Sequence, residues 1–125
     1  MIDEIVFITK NFDDQNNIQL SISVNGTKYH KTVRFSFKNN FATEIFLNKY
    51  IIVSDVNESS DKIYFKPSNK DEGYKLTSGG KSLNCYFSVN LHAFATKIEE
   101  YGWIGDYKDF STDGEMFYIT KGDKD

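Results

Sequence analysis

Two histidines, one cysteine and a scatter of carboxylates are the residues of this 125-residue chain with the chemistry to form a catalytic or metal site. A metal site needs three or four His, Cys or carboxylate ligands at workable spacing. His30 lies in a strand region, His92 at a helix start, and Cys85 on the apolar side of an alternating run, so no such set is spelled out. Gly80-Lys81-Ser82 has the ending of a phosphate-binding loop. That pattern also needs a glycine at position 75, where Lys75 stands, and a helix to follow, where the sequence reads as strand. Glu99, Glu100, Asp106, Asp109 and Asp113 are close in sequence. Glu99 and Glu100 are neighbours on a predicted helix and point to different sides, which favours a solvated face or a docking surface over paired catalytic carboxylates. No enzyme activity, cofactor or metal is expected.

The aromatic residues Tyr101, Trp103 and Tyr107 surround Gly102 and Gly105. Trp and Tyr on such a loop suit an exposed anchor for a partner, or packing over one end of the domain. Both readings stay open from sequence. Tyr101, Trp103, Tyr107, Asp106 and Asp109 form the candidate protein-binding set. Charge is unevenly spread along the chain. Residues 28–81 carry ten Lys/Arg against six Asp/Glu, and residues 98–125 carry eight acids against three lysines. A polyanion would be drawn to the middle of the chain and repelled by its end. Only one of the fifteen basic residues is Arg, the side chain favoured for bidentate phosphate and base contacts.

The elements that position these residues follow from composition and periodicity. The chain is 39% hydrophobic, 26% charged and 16% aromatic, which fits one globular domain spanning 1–125 and leans toward β-structure. No apolar run nears the roughly 20 residues of a membrane span. Asp3 and Glu4 stand where a secretory signal would be basic, and a lone cysteine makes no internal disulfide, so a cytoplasmic setting is expected.

Residues 4–10 read as a first strand and 11–17 as a loop. Ile18, Leu20, Ile22 and Val24 alternate with polar residues before Asn25-Gly26; Tyr29, Val33, Phe35 and Phe37 then resume the alternation. That pattern predicts a hairpin of strands 17–24 and 28–38 turning at Asn25-Gly26. A short helix is predicted over 41–48, then strands at 50–56 and 62–66, a short strand at 73–76, a loop at 77–81 and a strand at 83–90. Asn90 is placed to cap a helix carrying Leu91, Phe94, Ala95 and Ile98 on one face, ended by Gly102. Strands at 106–111 and 115–121, turning at Thr112-Asp113-Gly114, complete the chain.

Two stretches repeat one another. Val33-Arg-Phe-Ser-Phe37 leads to Phe41-Ala-Thr-Glu-Ile45 and ends in Lys62-Ile-Tyr-Phe-Lys66; Cys85-Tyr-Phe-Ser-Val89 leads to Phe94-Ala-Thr-Lys-Ile98 and ends in Met116-Phe-Tyr-Ile-Thr-Lys121. A strand–helix–strand–strand unit cannot close a core alone, so two copies burying against each other make physical sense. The expected fold is therefore β-rich α+β. It is a small barrel or packed sheet from two such repeats, about 31–67 and 82–121, preceded by an N-terminal strand and hairpin over 4–38.

This unit resembles the AbrB/MraZ-type swapped-hairpin barrel, and the layout is similar to that of small phage and mobile-element proteins. The resemblance implies a transcription regulator that grips DNA with basic residues on the first strand and at the helix start. By position those residues are Lys31, Arg34 and Lys38 in the first copy, and Lys81, Asn90 and His92 in the second. The nucleic-acid-binding set is Lys31, Arg34, Lys38 and Lys81. The competing expectation is a phage-type protein-binding inhibitor or accessory factor, such as an anti-CRISPR or other anti-defence protein, working through the acidic face. The partner is then DNA or a host protein, without membrane or metal, and the chain a monomer or homodimer.

Overall fold

Inward-facing phenylalanines on four central strands organise the interior: Phe35 and Phe37, Phe65, Phe87 and Phe117. A computed structural model of the chain describes residues 20–37, 50–78, 85–108 and 110–124. The expected first strand at 4–10, the helix at 41–48, and Lys38, Lys81 and Asp109 lie outside the described residues. Strands β1 (Leu20–Gly26) and β2 (Lys31–Phe37) form an antiparallel hairpin. They are followed by β3 (Tyr50–Val53), β4 (Lys62–Ser68), β5 (Tyr74–Lys75), β6 (Thr77–Ser78) and β7 (Cys85–Val89). Helix α1 (His92–Glu100) precedes β8 (Gly105–Tyr107), β9 (Ser111–Asp113) and β10 (Met116–Thr120), and a 3-10 turn covers Lys121–Asp123.

The strands make two five-stranded antiparallel sheets. The first has the order β6-β7-β2-β1-β8 and the second β5-β3-β4-β10-β9. They stack face to face on a core of aromatic rings, in the manner of a sandwich. In the first sheet Phe35 lies opposite Phe87 in register and the rings stack at 4.9 Å. In the second, Phe65 lies opposite Phe117 and those rings also stack at 4.9 Å. Across the gap the two pairs meet edge to face, Phe35 on Phe65 at 81° and Phe65 on Phe87 at 83°, and neighbouring Phe37 meets Phe117 at 73°. Edge-to-face contact sets the positive ring edge against the negative face, adding about 0.5–1.5 kcal/mol per pair beyond area burial.

A closed barrel is one of the two architectures expected from sequence, and the ladder does not form one. Among the described residues the strands pair as two separate sheets, and the chain passes from one to the other at a corner where buried Leu76 separates β5 in the second sheet from β6 in the first. Strands that bend from one sheet into the other make such corners. The expected loop at 77–81 accordingly begins as strand.

Two local expectations also change. Asn25-Gly26 is not the two-residue turn of the first hairpin. Gly26 is the last ladder residue, opposite Lys31, and the chain reverses over 27–30, with Thr27 N–H donating to the His30 carbonyl at 3.0 Å. Its φ of +118° and the 2.1 Å that would separate a Cβ from the His30 oxygen explain the glycine. Asn90 does not cap α1. The N-cap is Leu91, without a side-chain bond, because the Asn90 side-chain carbonyl oxygen accepts from the Thr32 hydroxyl instead. Leu91, expected in the buried stripe, is 55% exposed, whereas Phe94, Ala95 and Ile98 are buried as expected.

Because Phe65 touches both rings of the opposite pair and its own partner, Phe65→Ala should lower the unfolding free energy by about 3–5 kcal/mol. Phe65→Leu should cost clearly less. Urea denaturation with an unchanged m-value measures both, and a loss below about 1 kcal/mol for the alanine variant would contradict this account of the core.

Candidate functional site: the outer faces of the two sheets

Alternation along a strand sends every second side chain away from the core, so each sheet presents one outer surface. On the first sheet this surface is hydroxyl-rich. Ser21, Ser23, Thr32, Ser36 and Ser88 share it with Arg34, Tyr86 and Asp106. Arg34, the single arginine, lies flat with its guanidinium carbon 3.6 Å from the centre of the Tyr86 ring. Its Nε is buried and finds no hydrogen-bond partner among the described residues.

The outer surface of the second sheet has a different composition. Lys62, Tyr64 and Lys66 point out from β4, Tyr50 and Ile52 from β3, and Tyr118 from β10. Register brings them together: Tyr64 sits opposite Tyr118, Ile52 opposite Lys66, and Tyr50 opposite Lys75 of β5. The Tyr64 and Tyr118 ring centres are 5.2 Å apart, and the Lys62 ammonium stands 5.1 Å above the Tyr118 ring. The tyrosines and Ile52 are half-buried, while Lys66 and Lys75 are exposed. Asp113, opposite Met116, adds one acid at the margin. The result is a platform of aromatic rings interleaved with ammonium groups.

This platform is not among the residues singled out from sequence. Its trace is the alternation Lys62-x-Tyr64-x-Lys66, which marks one strand face as basic and aromatic. Tyr50, Lys75 and Tyr118 join it only through strand pairing.

Of the residues assigned to DNA by position, Lys31, Arg34, Asn90 and His92 are among the described residues, and three of them are engaged in contacts between β2 and the start of α1. Lys31 is tied to helix α1 by an ion pair with Glu99, and its backbone N–H donates to His92 Nδ1 at 3.2 Å. With the Thr32–Asn90 bond, these contacts strap the start of β2 to the region where β7 enters α1. Lys31, Asn90 and His92 therefore act as struts, and Arg34 lies on the hydroxyl-rich face.

The aromatic loop after α1 serves as packing for two of its three rings. Gly102, at φ +78°, ends the helix, with Gly102 N–H donating to the Glu99 carbonyl and Trp103 N–H to the Ile98 carbonyl. This reciprocal pairing turns the chain so that the residue after glycine lands on the third-from-last helical residue. Trp103 and Ile98 are both fully buried. Tyr107 is also fully buried, its hydroxyl donating to the Trp103 carbonyl at 2.7 Å. Tyr101 is half-buried, and Asp106 accepts from the Ser21 hydroxyl. An exposed Trp–Tyr anchor is thus absent from this segment.

A cavity of about 380 Å³ opens between β3 and α1, walled mostly by apolar side chains including Val53, Val89 and Phe94. At its rim Lys97 Nζ donates to Asp55 Oδ2 at 2.8 Å, and this ammonium holds the Asp55 carboxyl below its usual range. Among the described residues no group of three or more His, Cys, Asp or Glu is placed to hold a metal ion, and no helix is long and apolar enough to cross a membrane. Comparison with protein-family models, curated proteins and solved structures finds no match to this chain.

Burial pushes the Tyr107 phenol well above its ordinary value near 10. A group whose folded pKa is raised contributes stability that is present below its unfolded pKa and lost as pH rises toward the folded one. The protein should therefore lose stability progressively above about pH 10. Tyr107→Phe should cost roughly 1 kcal/mol at neutral pH through removal of the bond to Trp103 and flatten that alkaline loss. Denaturation series at neutral and alkaline pH test this; equal alkaline losses in both proteins would remove Tyr107 from the explanation.

Proposed function

We propose that this chain is a non-enzymatic nucleic-acid-binding protein whose contact surface is the outer face of the second sheet. The observation that carries the reading is the interleaving of Tyr50, Tyr64 and Tyr118 with Lys62, Lys66 and Lys75 on one sheet face. Ammonium groups neutralise phosphates and release their counterions, and tyrosine rings offer stacking surfaces to bases. The chain as a whole is acidic, at −3, so local concentration of lysines is what gives a polyanion a place to settle.

We further read the fold as a duplicated unit of the swapped-hairpin kind. Support comes from register. β2 and β7 pair about Phe35 and Phe87, so Val33 meets Val89 and Phe37 meets Cys85. β4 and β10 pair about Tyr64 and Tyr118, so Ile63 meets Ile119 and Phe65 meets Phe117. In each case the residues that correspond between the sequence repeats exchange places across the ladder, as a two-fold axis requires. On this reading Tyr64 and Tyr118 are equivalent residues from the two copies, brought side by side on the platform. A regulator built this way would meet nucleic acid with the hairpin strands, where the swapped-hairpin resemblance pointed to the first strand and helix start.

Fluorescence anisotropy with mixed-sequence single- and double-stranded DNA, at low and physiological salt, tests the function. Binding should weaken with salt. Replacing Lys62, Lys66 and Lys75 together by Ala should lower the slope of log affinity against log salt by roughly 0.7–0.9 for each phosphate that is no longer neutralised. Arg34→Ala should leave binding within about twofold. Absence of binding at low salt would sink the reading and turn attention to a protein partner. A large loss on Arg34→Ala alone would move the interface to the first sheet.

A further inference from the structure

Resting on that reading, we infer that the platform takes unpaired bases, and that it does so at two stacking stations separated by a lysine. The ligand class this selects is single-stranded nucleic acid long enough to reach both.

What each side chain can touch decides between an open strand and a closed one. In a duplex the flat faces of the bases are stacked on one another, so a protein ring reaches them only if the strand is open. A duplex laid on this sheet would meet the lysines and leave the tyrosines without a partner. A single strand can use both, because every base has a face to stack and each stacked base is worth enough to matter. The platform's half-buried rings stand on strands packed from below by the phenylalanine core, so the strands that carry them are held in place before any ligand arrives.

The stations follow from register. The first is Tyr64 with Tyr118, adjacent across β4 and β10, where Lys62 already sits over the Tyr118 ring. On engagement a base would replace the ammonium on the ring and leave Lys62 free for the neighbouring phosphate. The second station is Tyr50, whose partner on β4 is Ser68 and whose other neighbour is Lys75. Tyr64 and Ser68 are four residues apart on β4, so the stations are roughly 14 Å apart. Lys66, opposite Ile52, lies between them. A stacked strand advances about 3.4 Å per nucleotide. A dinucleotide therefore covers one station, and a strand of about six nucleotides covers both.

The test uses the full chain with three probes of one base composition: a dinucleotide, a single-stranded hexanucleotide, and a longer duplex, with binding followed by NMR titration. The hexanucleotide should bind more tightly than the dinucleotide. Tyr64→Ala together with Tyr118→Ala should weaken both single-stranded probes by at least about fivefold, and Tyr50→Ala should weaken only the hexanucleotide by that factor. Neither change should alter duplex affinity by more than about twofold. The corresponding Phe variants keep the ring and should restore binding, which separates loss of stacking from loss of fold. Salt-dependent binding that ignores all three tyrosines would overturn the stacking stations while leaving the lysine surface standing. Tyr50→Ala weakening the dinucleotide as much as the hexanucleotide would overturn the two-station arrangement. Absence of binding to any probe would overturn this inference together with the function it rests on.

Discussion

The contact on which the rest of the structure depends is the crossing of two phenylalanine pairs between the sheets. Phe35 and Phe87 stack within one sheet, Phe65 and Phe117 within the other, and the two stacks meet edge to face. Each pair is set by strand register, so the contact ties together the partner, the alignment and the facing of four central strands at once. A slip of one residue in any of them would send a ring to solvent and a Ser, Tyr or Lys into the core. The constraint reaches the surface by the same alternation. With Phe65 and Ile63 fixed inward, Lys62, Tyr64 and Lys66 have no direction but outward. The platform is the reverse side of the core.

One end of the sandwich is finished by helix α1. There the helix buries Phe94, Ala95 and Ile98, and its glycine turn drives Trp103 inward, where Tyr107 holds the turn's backbone by a hydrogen bond. Ion pairs and polar straps then join the helix to β2 through Lys31 and to the segment after β3 through Asp55. These exposed pairs add little stability singly, and their effect is to fix where the helix sits. They also remove charges from the field a ligand would feel. Among the described residues Lys31 and Lys97 are each paired with a carboxylate, which offsets their charge locally.

Much of the fold could be read directly from residue periodicity. The alternation of Val33, Phe35 and Phe37, and of Cys85, Phe87 and Val89, placed the central strands and their inward faces correctly, because a two-residue period leaves no second solution. Helix α1 and its glycine stop were equally legible. The turn of the first hairpin was not, since Asn25-Gly26 satisfies a tight turn and a strand end equally well and only the pairing partner decides. The capping role given to Asn90 failed for a related reason: a side chain that can bond its own helix can also bond a neighbouring strand. Trp103 could be assigned either to an interface or to the core until the helix-ending turn set its direction. The platform itself was half legible. Lys62-x-Tyr64-x-Lys66 is written in one strand, but Tyr50, Lys75 and Tyr118 come from three others, and register across strands is a property of the whole packed core.

The proposed nucleic-acid binding assigns contact to the tyrosine–lysine face of the second sheet and not to the hydroxyl-rich face around Arg34 and Tyr86. Backbone amide NMR of the full chain, recorded while a single-stranded oligonucleotide is added, reads this directly. Shifts concentrated at Tyr50, Ile52, Lys62, Tyr64, Lys66 and Tyr118, with the strands of the first sheet unmoved, are the predicted result. Shifts centred on Arg34, Ser88 and Tyr86, or on helix α1, with the second sheet unmoved, would contradict it.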